Sequence, residues 1–547
     1  MESSAATVQA ADIGTDTKRA APARFTALWV VAGLTALGVA IRFPTLGLQS
    51  YHHDEVITAA RVLPGSFMHM LHEVKHSESN PPFYYVLAWG WAKVFGYGEV
   101  GLRSFSALFG AATVPVAYFI GRELSGKRAG YMAAAITAVN PMLIWYSQEA
   151  RGYSLLVFLS ALSFLFFLRA LRTGDKRELT LWSLASIGAV TTHYFGVFPV
   201  AIEAVWLLVA LRATWRPVAV AVGGVAAVGL ALIPLIAAQI NPHHIGWIDH
   251  SPLLGRIGET AASLLIGETG HVIAEPPRNK YAVIPAILIL AALALVMYRG
   301  SRREKRGAAI GLLVGVGVVA LATAAALAGK DYVEERNLLP ALIPIAAAGG
   351  IGFATARARR VGLVLITILI AYWIAFDVYV TQTPSLQRPD LRKLAQELGQ
   401  PVRPRAVVTW KLSAAPVEFY VSDGGQPLFQ GTVPLREVAV IGKPWAAGRP
   451  VPLPPAFHPV ERLRFNRLVL TRYLAAQPQP LHYELLHKIP TGFRRNAVVI
   501  DGEPAQANLP GRIALLPGPN RAFVTSTELP QTGVSPANAV RSPGGRR

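Results

Sequence analysis

Eleven apolar runs, each close to the length that crosses a bilayer, leave this chain no solution as a water-soluble globule. They lie near 25–42, 102–121, 129–146, 153–171, 180–193, 195–211, 217–239, 281–298, 308–329, 338–355 and 361–379. A hydrocarbon core of ~30 Å is crossed by ~20 helical residues at ~1.5 Å each. Backbone polar groups inside lipid must bond within their own segment, so runs of this length are helices. The expected fold class is an all-α polytopic membrane protein with about eleven transmembrane helices and additional interfacial helices. A composition of 52% hydrophobic and only 15% charged residues fits a lipid solvent and excludes an ordinary soluble multidomain protein.

The formal charge of +20 is distributed between the apolar runs rather than along one basic face, which argues against nucleic acid as a partner. Basic residues gather in alternate connections: Lys18, Arg19 and Arg24; Arg122, Lys127 and Arg128; Arg169, Arg172, Lys176 and Arg177; Arg212 and Arg216; Arg299 to Arg306; Arg357, Arg359 and Arg360. The positive-inside rule makes these cytoplasmic. The apolar stretch 82–95 would invert that pattern if it crossed the membrane. Its shortness, its Trp and Tyr content and Lys93 suit an interfacial helix instead. With that parity the N-terminus is inside; the expected location is integral to a membrane, a bacterial plasma membrane. The external connections are then 43–101, 147–152, the tip at His193–Phe195, 240–280 and 330–337, and the segment after Phe376 is outside.

Four regions follow: a cytoplasmic tail at 1–24, a membrane domain at 25–380, a small external α/β domain at 385–505 and a disordered end at 506–547. The external domain rests on a short helix in Pro389–Leu398 and strand-like runs at Ala406–Trp410, Arg467–Thr471 and Ala497–Ile500. The chain has no Cys, so disulfides and thiolate metal sites are excluded.

The external connections carry most of the chemistry. Tyr51-His52-His53-Asp54-Glu55 places two adjacent carboxylates shortly after the first span, where one could act as a general base. An ordinary account is also available: Asp54 would cap a helix running from Glu55 to Leu63. Glu78 precedes Pro81-Pro82, and the prolines are explained by the start of the interfacial helix, whereas Glu78 is not. Trp145-Tyr146-Ser147-Gln148-Glu149-Ala150-Arg151-Gly152-Tyr153 sets an acid and an arginine in a short connection between spans. Such a pair is also common on ordinary surfaces. Lys330 and Arg336 precede the tenth span, where an arginine could hold a phosphate or simply reach the interface. His243, His244 and His271 lack tight metal-ligand spacing.

These pieces occur in a fixed order: HHDE at 52–55, NPPFYYVL at 80–87, GLRSFSALFG at 101–110, GKRAG at 126–130, NPMLIWYSQEARGYSLL at 140–156, ERNLLPALIPI at 335–345 and RPDLRK at 388–393. In that order they resemble the GT-C glycosyltransferases of the protein-mannosyltransferase and aminoarabinose-transferase type. The resemblance implies inverting transfer of a sugar from a polyprenyl-phosphate donor on the extracytoplasmic face. It implies Asp54 as the base, Glu55 beside it and Glu78 as the nearest candidate for a second acid, at a different distance from Pro81 than is usual. The late Arg-Tyr pair is represented by Arg336-Asn337, keeping the arginine without the tyrosine.

The expected partners are therefore a polyprenyl-phosphate-sugar donor, a lipid, glycan or protein acceptor, and the membrane. Catalysis is expected from Asp54, Glu55 and Glu78, donor phosphate binding from Arg151, Lys330 and Arg336, and substrate contacts from Tyr146, Gln148, Glu149, Tyr153, His193 and Tyr194. Neither motif nor composition names a cofactor, although acidic loops are compatible with a divalent metal. The competing function is a transporter or flippase of lipid-linked sugars. That class puts ionisable groups near the membrane midplane, and here Glu203 is the main such residue.

Overall fold

The computed structural model describes residues 20–240, 252–268, 278–399, 401–402, 404–421, 426–465, 468–493 and 495–501. His243, His244, His271, residues 1–19 and the end expected to be disordered lie outside the described residues. Up to Gln382 the described residues are helical: α1 (Ala20–Arg42), α2 (His53–Val56, continuing as a π-helical turn Ile57–Val62), α3 (Phe67–Ser77), α4 (Phe83–Phe95), α5 (Glu99–Ser125), α6 (Lys127–Val139), α7 (Pro141–Ser147), α8 (Tyr153–Thr173), α9 (Lys176–Thr192), α10 (Val197–Ala210), α11 (Trp215–Ala231), α12 (Ile233–Gln239), α13 (Leu253–Ile266), α14 (Arg278–Arg299), α15 (Arg302–Leu327), α16 (Leu342–Phe353, led by a 3-10 turn Glu335–Ala341) and α17 (Arg359–Gln382).

Helix stands at all eleven expected runs, but seven segments among the described residues are long and apolar enough to cross a membrane: Glu99–Ser125, Tyr153–Thr173, Arg212–Gln239, Lys280–Arg299, Arg302–Leu327, Glu335–Phe353 and Ala356–Gln382. The count of eleven is therefore not reproduced. The run at 129–146 is divided at Asn140-Pro141, because proline has no N–H for the preceding turn and disfavours helix at the residue before it. The run at 180–193 belongs to α9, which is 17 residues long and opens on Lys176-Arg177-Glu178. α10 has 14 residues, and α1 contributes Thr26–Arg42 as a shorter apolar helix. α4 has 13 residues, roughly 20 Å of helix, which is too short for the hydrocarbon core.

Packing is closest where side chains are smallest. A Cβ on Gly121 of α5 would lie 2.7 Å from the Ala129 carbonyl oxygen of α6, and one on Gly130 would lie 2.5 Å from that of Tyr118. Bare backbone at these crossings lets two helices approach without a hydrophobic drive between them. The break between α6 and α7 is closed by Arg42, buried at the end of α1, which donates to Ala138 O at 2.7 Å and Thr137 O at 3.2 Å. Asn140 caps α7 by accepting from Leu143 N–H at 3.0 Å and donates to Leu264 O at 3.2 Å. Together these contacts fix where α6 ends and α7 begins.

After α17 the chain forms α18 (Leu391–Leu398), β1 (Arg405–Trp410), α19 (Lys411–Tyr420), β2 (Gln426–Leu428), β3 (Thr432–Gly442), β4 (His458–Phe465), β5 (Leu468–His482), α20 (Tyr483–His487) and β6 (Asn496–Asp501). The six-stranded sheet has the order β2-β6-β1-β3-β5-β4, with β1 and β3 parallel and the other neighbours antiparallel. β1 is buried at all six positions, as a central strand covered on both faces must be. Leu391, Leu394 and Leu398 of α18 and Val417 of α19 cover one face, while Phe457, Leu486 and Ile489 cover the other. The expected strands fall on β1, β5 and β6, and β2, β3, β4 and α19 are additions to them.

The sheet unit sits on the first long connection. Phe419 packs edge-to-face on Tyr51 at 6.0 Å and shares a core with Val56 and Tyr85. Tyr420 Oη accepts from Tyr51 N–H at 2.8 Å and donates to Glu99 Oε1 at 2.6 Å. Ser50 Oγ donates to Pro389 O at 3.1 Å and accepts from Leu391 N–H at 3.0 Å. Arg392 adds bonds of 3.0 Å to Glu99 Oε1 and Gly47 O.

Candidate active site

The connections ending α1, α3, α7, α9 and α15 meet at one end of the bundle. The helix bearing Asp54 starts two residues earlier than expected. The Glu55 carboxylate reaches back to His52 N–H at 3.0 Å, so His52 caps α2 and Asp54 is its second residue. The account of Asp54 as the cap is thereby corrected. The π-helical turn that follows presents Thr58 toward the same side, and insertions of this kind are frequent at functional sites.

Neighbouring in sequence, Asp54 and Glu55 differ in surroundings. Glu55 is fully buried and receives Arg103 Nε at 2.8 Å, Arg103 Nη2 at 2.7 Å and Ala150 N–H at 2.8 Å. Burial would raise its carboxyl, but Arg103 and Arg388 outweigh that and bring it down to about 2. Glu78 is likewise enclosed: Arg151 Nη1 donates to its two oxygens at 2.7 and 2.8 Å, and Thr58 Oγ1 at 3.2 Å. Glu149 takes Arg388 Nη2 at 2.6 Å. Burial pushes the Glu149 carboxyl up, with Arg388 opposing and Glu55 and Glu268 adding to the rise.

Asp54 pairs with Arg336 Nη1 at 3.3 Å, and its side chain is 29% exposed, against 0% for Glu55, 4% for Glu78 and 3% for Glu149. Burial would raise the Asp54 carboxyl, but Arg336, Arg151, His52 and His53 hold it well below the usual carboxylate range. Burial drives His52 down to about 4, so its ring is neutral, and His53 is shifted in the same direction. The buried Nδ1 of His53 has no hydrogen-bond partner among the described residues.

An aromatic wall continues from Asp54. Tyr146 and Tyr153 meet edge-to-face at 5.0 Å, and Tyr153 lies 5.7 Å from His193. Tyr146 Oη donates to Glu268 Oε2 at 2.8 Å. Burial, assisted by Arg151 and Arg336, takes His193 down to about 3, so it too is a neutral donor or acceptor. Arg336 is presented by the strap 330–337, which is braced from α13 by Arg256 through Asp331 Oδ1 at 3.0 Å and Val333 O at 2.9 Å.

The remaining expected residues lie elsewhere or act as supports. Gln148 Nε2 donates to Arg42 O at 3.0 Å and also to Thr45, tying the connection to the end of α1. Tyr194 Oη donates to Gln239 Oε1 at 2.6 Å, and Gln239 in turn holds Val74 O and Asn80 O on either side of Glu78. Lys330 is exposed, and no bond among the described residues joins it to the cluster. Arg103 and Arg388 were not expected at all, although they lie within the quoted runs GLRSFSALFG and RPDLRK. Among the described residues no group of three or more His, Asp or Glu is placed to hold a metal ion. Glu203 is fully buried in α10, where one oxygen accepts from Trp182 Nε1 at 2.8 Å and from Ser163. That closed arrangement does not favour a transport pathway through Glu203.

Residues 79–237 match the family described as dolichyl-phosphate-mannose-protein mannosyltransferase. The segment carries Arg103, Tyr146, Glu149 and Arg151, and it supports the resemblance drawn from the ordered motifs; Asp54, Glu55, Glu78, Arg336 and Arg388 lie outside it. No curated protein matches the chain in sequence. Among solved structures, the chain is similar to ArnT from Cupriavidus metallidurans bound to undecaprenyl phosphate, at 13% identity and a TM-score of 0.48, covering 83% of this chain and 99% of that one. It is similar to the Archaeoglobus fulgidus oligosaccharyltransferase in the apo form at 14% identity and a TM-score of 0.43, covering 69% and 58%. For the S. cerevisiae Pmt1-Pmt2 complex bound to the sugar donor the values are 21% identity, a TM-score of 0.29, and 39% and 32%.

Proposed function

We propose that this chain is a membrane glycosyltransferase that moves a sugar from a polyprenyl-phosphate donor to an acceptor hydroxyl on the extracytoplasmic face, with inversion and with Asp54 as general base. The observation that carries this reading is the contrast among the acids: Glu55, Glu78 and Glu149 are enclosed and engaged by arginines, while Asp54 is partly open and shares its cation with a strap. The family match over 79–237 supplies the reaction class. The alternating basic connections supply the orientation, with the sheet unit outside.

In this reading Asp54 removes the acceptor proton as the acceptor oxygen bonds to the anomeric carbon. The bond from that carbon to the phosphate oxygen breaks on the opposite side, and the polyprenyl phosphate leaves with the electron pair. A carboxylate held far below the usual range is a weak base, because efficiency improves as its pKa approaches the working pH. Arg336 resolves that difficulty if donor phosphate competes for its guanidinium. Phosphate binding then withdraws a cation from Asp54 and raises its basicity when donor is present.

Purified protein in lipid nanodiscs, supplied with a panel of polyprenyl-phosphate sugars and analysed by mass spectrometry of the glycolipid products, tests the reading. D54N is expected to lose about 10²–10⁴-fold in transfer while remaining folded. Retained turnover in D54N overturns the base assignment. Sugar movement across sealed vesicles without covalent transfer overturns the enzyme.

A further inference from the structure

Arg388 lies beyond the last membrane helix, at the entry to the sheet unit, yet its guanidinium is seated inside the site. It donates to Glu149 Oε2 at 2.6 Å, approaches Glu55 Oε2 at 3.5 Å and lies 5.0 Å from the centre of the Trp145 ring. Its own N–H donates to Gln49 Oε1 at 3.1 Å, and Pro389 O and Leu391 N–H are both bonded to Ser50 Oγ. The side chain thus reaches three separate pieces of chain: α2, α7 and the connection 148–152.

We propose that Arg388 is a positioning residue of the active site, contributed by the segment that joins the membrane helices to the C-terminal sheet, and that it fixes the Glu149 carboxylate and with it the short connection presenting Arg151. The inference rests on the glycosyltransferase reading for its meaning, but its geometry stands independently. Glu149 is enclosed by Glu55 of α2, Glu268 after α13, Tyr146 of α7 and Tyr153 of α8, and Arg388 is the cation that offsets them. A buried carboxylate stripped of such a partner takes up a proton rather than remain charged. Arg151 lies two residues on, and its hold on Glu78 and Thr58 depends on the same five-residue connection. The segment leading into the sheet unit is therefore part of the active-site assembly.

The sign of the pH effect follows from Glu149. A carboxyl whose folded-state pKa is raised contributes stability at low pH that is lost as pH rises through that pKa. Burial already raises Glu149, and removing Arg388 raises it further, so the loss becomes larger toward alkaline pH.

The test uses the full chain in nanodiscs, with thermal unfolding followed by tryptophan fluorescence between about pH 5.5 and pH 8. R388Q is expected to show its largest melting deficit at the alkaline end, and roughly half that deficit or less at the acidic end. The double variant R388Q/E149Q is expected to lose the pH dependence, and R388K to recover most of the stability lost in R388Q. A deficit in R388Q that is constant with pH, or unchanged by adding E149Q, overturns the proposal. If R388Q does not fold, R388K alone decides: a pH-dependent deficit that E149Q abolishes supports the proposal, and a pH-independent one overturns it. In the transfer assay the acidic limb of R388Q is expected to move to higher pH. Absence of transfer in the unaltered protein defeats the glycosyltransferase reading while leaving the melting results to judge Arg388.

Discussion

Adjacent acids in HHDE look interchangeable in the sequence, and their partners are what separate them. The donors to Glu55 come from positions 48 and 95 residues away, and Arg388 from 333 residues away, so no local pattern marks Glu55 as the enclosed member. Nor does a local pattern mark Arg103, which sits in an apolar run where an arginine would ordinarily be read as reaching the interface. What was legible was the location: the acids at 54, 55 and 149 and the arginines at 151 and 336 do converge. The separation has a measurable consequence. Replacing one partner of a buried charge pair leaves the other uncompensated and costs about 3–5 kcal/mol. E55Q, which abandons the fully buried Arg103, is expected to melt many degrees lower or fail to accumulate. D54N breaks a pair that is 27–29% exposed and is expected to change stability by only about 1 kcal/mol or less. Differential scanning fluorimetry of the two variants checks this, and equal losses in both would contradict the division of roles.

At the scale of elements, the long apolar runs were legible because a bilayer fixes the length of what crosses it. The break at Asn140-Pro141 was less so, since a proline in a membrane helix can also be absorbed as a kink. Here the two halves are held apart by Arg42, which takes the carbonyls of Thr137 and Ala138 and also donates to Ser147 Oγ at 3.1 Å. Gly110 of α5 leaves room for that meeting, because a Cβ there would lie 2.1 Å from Ser147 Oγ. R42M is expected to strand two buried carbonyls at about 1–3 kcal/mol each. It should also loosen the end of α7, from which Tyr146 and the connection to Arg151 hang. N140A, which loses a capping oxygen, is expected to cost about 1 kcal/mol. Thermal unfolding ranks the two, and a milder effect for R42M than for N140A would remove Arg42 from the account.

Across the whole molecule, the membrane helices and the sheet are joined at a titratable seam. A sheet was legible from three strand-like runs, but β4, with the sequence HPVERLRF and little buried surface, has the composition of an exposed edge and gave no signal. The contact between sheet and site was not legible either, because it depends on α19 lying against α2. Glu418 sits in that seam between Phe419 and the turn carrying Arg61. Burial raises its carboxyl from an ordinary 4.5 to about 7, with Arg61 opposing. The protonated form is therefore favoured in the docked state, and its contribution is present at acidic pH and lost as pH rises through about 7. E418Q carries no ionisable proton, so it should match the unaltered protein near pH 5 and melt higher than it near pH 8. Hydrogen exchange should localise the difference to α19 and to residues 388–392, because those segments carry the bonds to Tyr51, Ser50 and Gln49. A melting difference that is the same at both pH values, or exchange confined to the far edge of the sheet, would place Glu418 outside the seam's energetics.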